Sequence, residues 1–229
     1  MTKRNSGGAE PAASQSTAGV GDYAHGRVPR ALRRQQILEL AAELFVERGY
    51  GAASMDELGR RAGVTKPVIY ALVGNKEAVF AEVVAGEARE LSQQVEAAVR
   101  AEDDAERKLH AGALAFFRFA ESRREAWAAL LTPDTGPGNA ELQAARRFHT
   151  TAVARLLSEG VELAGGEVDP LMTEACARAI NGAFEALADY GRDHPSLQPE
   201  VLAALATQLL APGLRDLSGL DGPRAAVDR

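Results

Sequence analysis

Apolar residues recur at helical spacing along most of this 229-residue chain, and no segment shows the alternation of a half-buried strand. Ile37, Leu40-Ala41 and Leu44-Phe45 mark one face of a helix from about Ala31 to Arg48, which Gly49 ends. Two short helices follow: one carries Met55, Leu58 and Ala62, and the other, Lys66 to about Leu72, turns Ile69 and Val73 to the same side. A long helix from Lys76 to Arg100 continues the stripe through Val79-Phe80, Val83-Val84, Leu91, Val95 and Val99. Further helices are predicted at about 105–123, in a short segment holding Trp127 and Leu130-Leu131, and at about 139–164, 169–191 and 199–210. The prediction is an all-α protein of about nine helices: an N-terminal three-helix unit over 31–91 and a C-terminal helical bundle over 92–211. Residues 1–29, rich in Gly, Ala and Ser, are expected to be a disordered tail, and residues 212–229 a loose one.

The most informative stretch is Ser54 to Val73, SMDELGRRAGVTKPVIYALV. Two short helices joined at Gly63 form a helix-turn-helix, whose second helix can lie in a DNA major groove. Ser54 stands three residues before Glu57, as in a capping box, and Thr65 is placed to cap the second helix, with Pro67 tolerated in its first turn. With Ile69 and Val73 turned inward, Lys66, Pro67, Val68 and Tyr70 face out. An amine, two apolar groups and a phenol suit base edges, thymine methyls and phosphates respectively. Gly74-Asn75 breaks the chain, Asn75 can cap the long helix, and Lys76 at its first position is expected to meet a phosphate.

From Arg33 to Phe80 the chain reads RRQQILELAAELFVERGYGAASMDELGRRAGVTKPVIYALVGNKEAVF. It closely resembles the DNA-binding domain of the tetracycline-repressor (TetR) family of bacterial transcription regulators. The resemblance is carried by Ile37, Ala41, Leu44-Phe45, Gly49-Tyr50, Ser54, Ala62-Gly63-Val64-Thr65, Tyr70 and Lys76-Glu77. It departs at Leu72 and Val73, where members commonly carry an aromatic or His and often Phe. The resemblance implies DNA contacts from Ser54, Thr65, Lys66, Pro67, Val68, Tyr70 and Lys76, a homodimer, and double-stranded operator DNA as partner. The expected function is a dimeric repressor released from a palindromic operator by a small-molecule effector. The alternatives are a regulator of the same kind without an effector, architectural or activating, and an all-helical enzyme or interaction bundle.

Charge and chemistry narrow the choice. The net charge is −6, yet residues 27–76 hold nine basic and five acidic side chains, a net of +4 where phosphates would be met. Cys176 is the single cysteine, so no intramolecular disulfide forms, and the four His are not at metal-ligand spacing. No phosphate loop, nucleophile elbow or dinucleotide fingerprint is present, so no catalytic residue, metal or cofactor is assigned. No apolar run reaches membrane-spanning length, and a cytoplasmic protein is expected.

In the second half, Phe116, Phe117, Phe119 and Trp127 read first as ordinary core. The family resemblance adds an effector cavity there, lined by Phe116, Phe117 and Trp127, with His110, Arg118, His149 and Asn181 as its polar contacts. The last two helices are rich in small residues, including Ala175, Ala179, Gly182, Ala183, Ala203 and Ala206. Small faces let helices approach closely, either within the chain or, as the resemblance implies, across a four-helix dimer interface.

Overall fold

The computed structural model describes residues 28–123, 139–163 and 169–215, which form eight helices and no strand. They are α1 (Arg30–Ala52), α2 (Met55–Ala62), α3 (Lys66–Val73), α4 (Lys76–Arg100), α5 (Ala105–Ser122), α6 (Asn139–Leu163), α7 (Pro170–Asp193) and α8 (Pro199–Arg215). The segment predicted around Trp127, residues 1–27 of the N-terminal tail and residues 216–229 of the C-terminal one lie outside the described residues.

Local chemistry sets most of the boundaries. Gly49 adopts φ 71° within the span of α1 and breaks it where the sequence places the stop. Asn75 Oδ1 accepts from the Ala78 amide at 2.9 Å and Asp169 Oδ1 from Leu171 at 2.8 Å, so both predicted caps form. Two helix starts differ from expectation. Ser54 Oγ accepts from the Asp56 amide at 3.2 Å while Glu57 pairs with Arg61, so no reciprocal capping box closes. Thr65 makes no side-chain cap bond; its carbonyl alone starts α3, accepting from Val68 and Ile69. The chain also stays helical through Pro212 to Arg215, past the predicted end of the last helix and start of the loose tail. A proline in the final turn removes one amide from the ladder, which shortens the hydrogen bonding there without stopping the turn.

Two buried clusters result. The first joins Ile37, Leu44 and Phe45 of α1 to Leu58, Ile69, Val73 and the α4 residues Val79, Phe80 and Val84. Phe80 meets Phe45 edge-on at 5.2 Å between centroids and Tyr50 at 4.7 Å. Leu72 and Val73 serve this core too, Val73 buried and Leu72 packed against it, so the positions that depart from the family pattern are apolar packing. The second cluster joins Leu91 and Val95 of α4 to Phe116, Phe117 and Phe119 of α5, Ile180 and Phe184 of α7, and Leu202, Ala203 and Ala206 of α8. Phe116, Phe117 and Phe184 lie within 5.5 Å of one another, centroid to centroid. The helix α4 therefore enters both cores. So does α6, which lays Leu142 and Ala145 on the first and Leu157 on the second. Arg100 and Arg155 each bridge Glu96 and Glu159, tying the far end of α4 to α6.

The turn between α2 and α3 depends on Gly63, whose φ of 64° and ψ of 32° are left-handed. A Cβ there meets no neighbouring atom, so strain in the backbone is the whole cost of a side chain. Gly63→Ala is expected to lose about 1 kcal/mol in urea unfolding, and Gly63→Asn distinctly less, because Asn tolerates this conformation. Equal losses in the two variants would show that crowding, not backbone conformation, limits the position.

Candidate functional site

The outward surface of α3 is set by what its inner side buries. Ile69 is fully buried and Val73 nearly so, which leaves Thr65, Lys66, Pro67, Val68 and Tyr70 exposed on one side of the short helix. Ser54, at the start of α2, is exposed as well. Lys66 opens α3 with no side chain capping its backbone N–H, and Pro67 after it has no N–H to offer. Lys66 Nζ lies 2.9 Å from Asp56 Oδ1. The hydrogen bond and charge of Asp56 raise the Lys66 ammonium above its ordinary value. Both side chains are more than half exposed, so the pair contributes little stability.

The supporting shell is polar and cross-linked. Arg30 donates to the Ala71 carbonyl at 2.7 Å, fastening the start of α1 to α3. Arg61 bonds both Glu47 and Glu57, at 2.6 and 2.8 Å, and these hydrogen bonds hold both carboxyls below the usual range. Lys76 donates to the Gly51 carbonyl at 3.0 Å and stands 4.6 Å over the Tyr50 ring. It is thus held against the end of α1, half-buried, in the protein without DNA.

This surface and its fold have relatives. Residues 37–83 match the family model described as bacterial regulatory proteins, tetR family. Residues 37–83 are a domain of that family. The chain is 38% identical over 135 residues to the HTH-type transcriptional activator FasR of Mycolicibacterium smegmatis, a match covering 58% of this chain. The chain spans 62% of that relative's length. A TetR-like transcriptional regulator from Rhodococcus sp. RHA1 shares the fold with a TM-score of 0.62 and 26% identity, over 82% of this chain and 99% of that one. FadR from Bacillus subtilis, solved in complex with stearoyl-CoA, does so at a TM-score of 0.64 and 17% identity, with the same two coverages.

Away from α3, helices α4, α5, α6 and α7 enclose a pocket of about 680 Å³, counted out to open solvent. Its wall is mostly apolar, with Val84, Leu91, Phe116, Phe119, Leu142 and Ala145, and its polar residues are Glu87, Arg123, Arg146, His149, Asn181 and Glu185. Of the residues expected here, Phe116, His149 and Asn181 line it. Three do not. His110 bonds Thr207 Oγ1 at 3.3 Å, between α5 and α8. Phe117 is turned by the helical repeat to a smaller cleft bordered by Ala188 and Leu202. Arg118 is exposed and pairs with Glu200. Trp127 lies outside the described residues. The charged lining residues went unread because Arg123, Arg146, Glu87 and Glu185 are far apart in sequence and each alone looks like a solvated side chain.

The small residues of α7 and α8 divide into two sets. Ala203 and Ala206 are fully buried in the second cluster, so they are intrachain core and not partner-facing as expected. Ala175, Ala179 and Gly182 are exposed and Ala183 is half-buried. Larger apolar groups stand exposed on the same two helices: Leu171 and Tyr190 on α7, and Val201, Leu205 and Leu209 on α8.

His149 is the one strongly shifted group in the pocket. Burial lowers its imidazole to about 4, and its Nδ1 lies 2.9 Å from Ser92 Oγ. Between the ordinary value of 6.5 and about 4, the unfolded chain binds a proton that the folded chain does not, so stability falls as pH drops through that window. The groups facing the same space are Glu87 on α4, Arg123 beyond α5, Arg146 on α6 and Glu185 on α7. Burial raises both carboxyls, which pulls the other way, favouring the folded state as pH falls. Comparison with His149→Gln isolates the imidazole. From pH 7 to pH 4 the wild type should lose on the order of 3 kcal/mol relative to this variant in denaturant unfolding. A difference that stays constant with pH would show that the folded protein protonates His149 normally.

Proposed function

We propose that this regulator binds a two-fold DNA operator as a homodimer through α3 and is released from it by an apolar or amphipathic effector. The observation that carries the DNA-binding side is the exposed face of α3, where Lys66, Pro67, Val68 and Tyr70 project opposite fully buried Ile69. Ser54, Thr65 and Lys76 surround it with a hydroxyl at each motif helix start and an amine beside the N-terminus of α4. Val68 and Tyr70 suit thymine methyls and phosphate, and Lys66 a base edge or phosphate. In this reading residues 31–91 form the DNA-binding unit and 92–211 the unit that dimerises and receives the effector.

Control follows from shared helices. Val84 belongs to the first core and also lines the pocket, as do Leu142 and Ala145, which pack against that core from α6. A ligand that spreads α4 from α6 therefore acts on the core that seats α3. To switch, it must favour the DNA-incompetent arrangement, and DNA must weaken the ligand by the same factor. FadR is solved with stearoyl-CoA in a fold of this kind, which makes compounds with a long acyl chain one class to test here. A second reading, an activator, is favoured by the name of FasR, the relative 38% identical over 135 residues.

Selection of bound duplexes from random DNA tests the function as a whole, and recovery of a two-fold consensus is expected. On that site, Lys66→Ala should weaken binding by about 1–3 kcal/mol more than on random duplex if Lys66 reads a base. A uniform loss with a shallower salt dependence would make it a phosphate contact. No loss on either duplex would remove α3 from the groove.

The exposed face of Leu171, Ala175, Ala179 and Gly182 on α7, beside Val201, Leu205 and Leu209 on α8, supports dimerisation through these helices. Gly182 has open space where a Cβ would stand, so Gly182→Arg leaves the monomer's own packing intact. It should sediment as a monomer and lose most affinity for a two-fold site. A fully dimeric variant would move the interface elsewhere.

A further inference from the structure

Among the described residues, two buried side-chain polar atoms have no hydrogen-bond partner, Arg123 Nε and Asn181 Oδ1, and both residues line the pocket between α4, α5, α6 and α7. Leaving such an atom unpaired ordinarily costs a fold stability, so finding both in one pocket is unlike a random scatter of packing faults. Asn181 is 7% exposed, and its Nδ2 donates to Thr150 Oγ1 at 3.1 Å. A hydroxyl can equally donate to an amide oxygen, so turning the amide over leaves its other end unpartnered instead. Arg123 gives Nη2 to Glu90 at 2.7 Å, while its Nε lies 3.2 Å from Glu87 without hydrogen-bond alignment.

The surrounding charge narrows what meets these atoms. The pocket's cations, Arg123 and Arg146, are already matched by Glu87 and Glu90 on one side and by Glu185, 3.5 Å from Arg146, on the other. Buried His149 adds no positive charge near neutral pH. Among the described residues no cation is left over to hold an anionic head, whereas a neutral oxygen can accept from Arg123 and a neutral polar hydrogen or oxygen can meet the Asn181 amide. We propose that the pocket takes an amphiphile with a long apolar body and an uncharged hydrogen-bonding head, and that Asn181 with Arg123 selects it over a purely apolar molecule. This rests on the reading of the pocket as the effector site.

Calorimetric titration of the full chain with three probes of one chain length, decanamide, 1-chlorodecane and decanoate, tests it. The wild type should bind decanamide about ten-fold or more tightly than 1-chlorodecane, and decanoate no better than 1-chlorodecane. Asn181→Leu should keep 1-chlorodecane and lose most of the preference for decanamide. Asn181→Ala, which removes the same amide with less bulk, should do likewise and replaces it if the leucine variant does not fold. Arg123→Lys keeps a cation for Glu87 and Glu90 but lacks the Nε donor, and should also narrow the preference. Equal affinity for decanamide and 1-chlorodecane, a preference for decanoate, or a decanamide preference that survives in the Asn181 variants would overturn the assignment while leaving the pocket as a ligand site. A wild type that binds none of the three would overturn the effector pocket itself, and this assignment with it.

Discussion

The most direct link between the two cores is a single uninterrupted helix, α4, with one apolar stripe shared between them. Val79, Phe80 and Val84 of α4 are buried with the helix-turn-helix, and Leu91 and Val95, two and three turns on, are buried among the phenylalanines of α5 and α7. A helix is stiff over this length, because each turn is bonded to the next, so its two ends cannot tilt independently. Interiors packed to crystal-like density transmit such a tilt instead of absorbing it. The capped start at Asn75 fixes where that helix begins, two residues after the end of α3.

The second link is less direct. The N-terminal half of α6 places Leu142 and Ala145 on the first core, and those residues, with Arg146 and His149, also line the pocket. The wall of the pocket and the roof of the first core are thus partly the same side chains. Surface ion pairs between α4 and α6 are mostly exposed and contribute little each, so apolar contact carries the coupling. The buried polar residues of the pocket are different in kind. Neutral His149, the unsatisfied Asn181 and the half-buried Glu87 and Glu185 each make an empty pocket less stable than an apolar one would be. Retained together in one space, they suit a site that is completed by something entering it.

At the DNA-facing end, electrostatics and packing are separable. Ile69 and Val73 fix the rotation of α3, and that alone decides which residues face outward. Lys66 and Lys76 are both engaged without DNA, one with Asp56 and the other with Gly51 and Tyr50. Those contacts are exposed or half-exposed and weak, so each amine can exchange its intrachain partner for a stronger acceptor.

The helical periodicity, the turn at Gly63, the caps at Asn75 and Asp169 and the tetR-family motif are all local or short-range, so the sequence by itself determined the helices, their order and the outward face of α3. It could also place α4 in both halves, because one stripe runs its whole length. What it could not do was choose among helix faces once several helices compete for the same apolar surface. Ala203 and Ala206 are as small as Ala175 and Ala179, yet tertiary packing buries the first pair against α5 and leaves the second pair exposed. Phe116 and Phe117 are adjacent, and only the rotation of α5 decides that one faces the pocket and the other a separate cleft. Arg123, Arg146, Glu87 and Glu185 become one charged rim only when four helices converge, since pairs such as Arg123 with Glu87 or Arg146 with Glu185 are joined by distance in space and by nothing in the local pattern. Periodicity reports which side of a helix is apolar; which neighbour covers that side is a property of the assembled bundle.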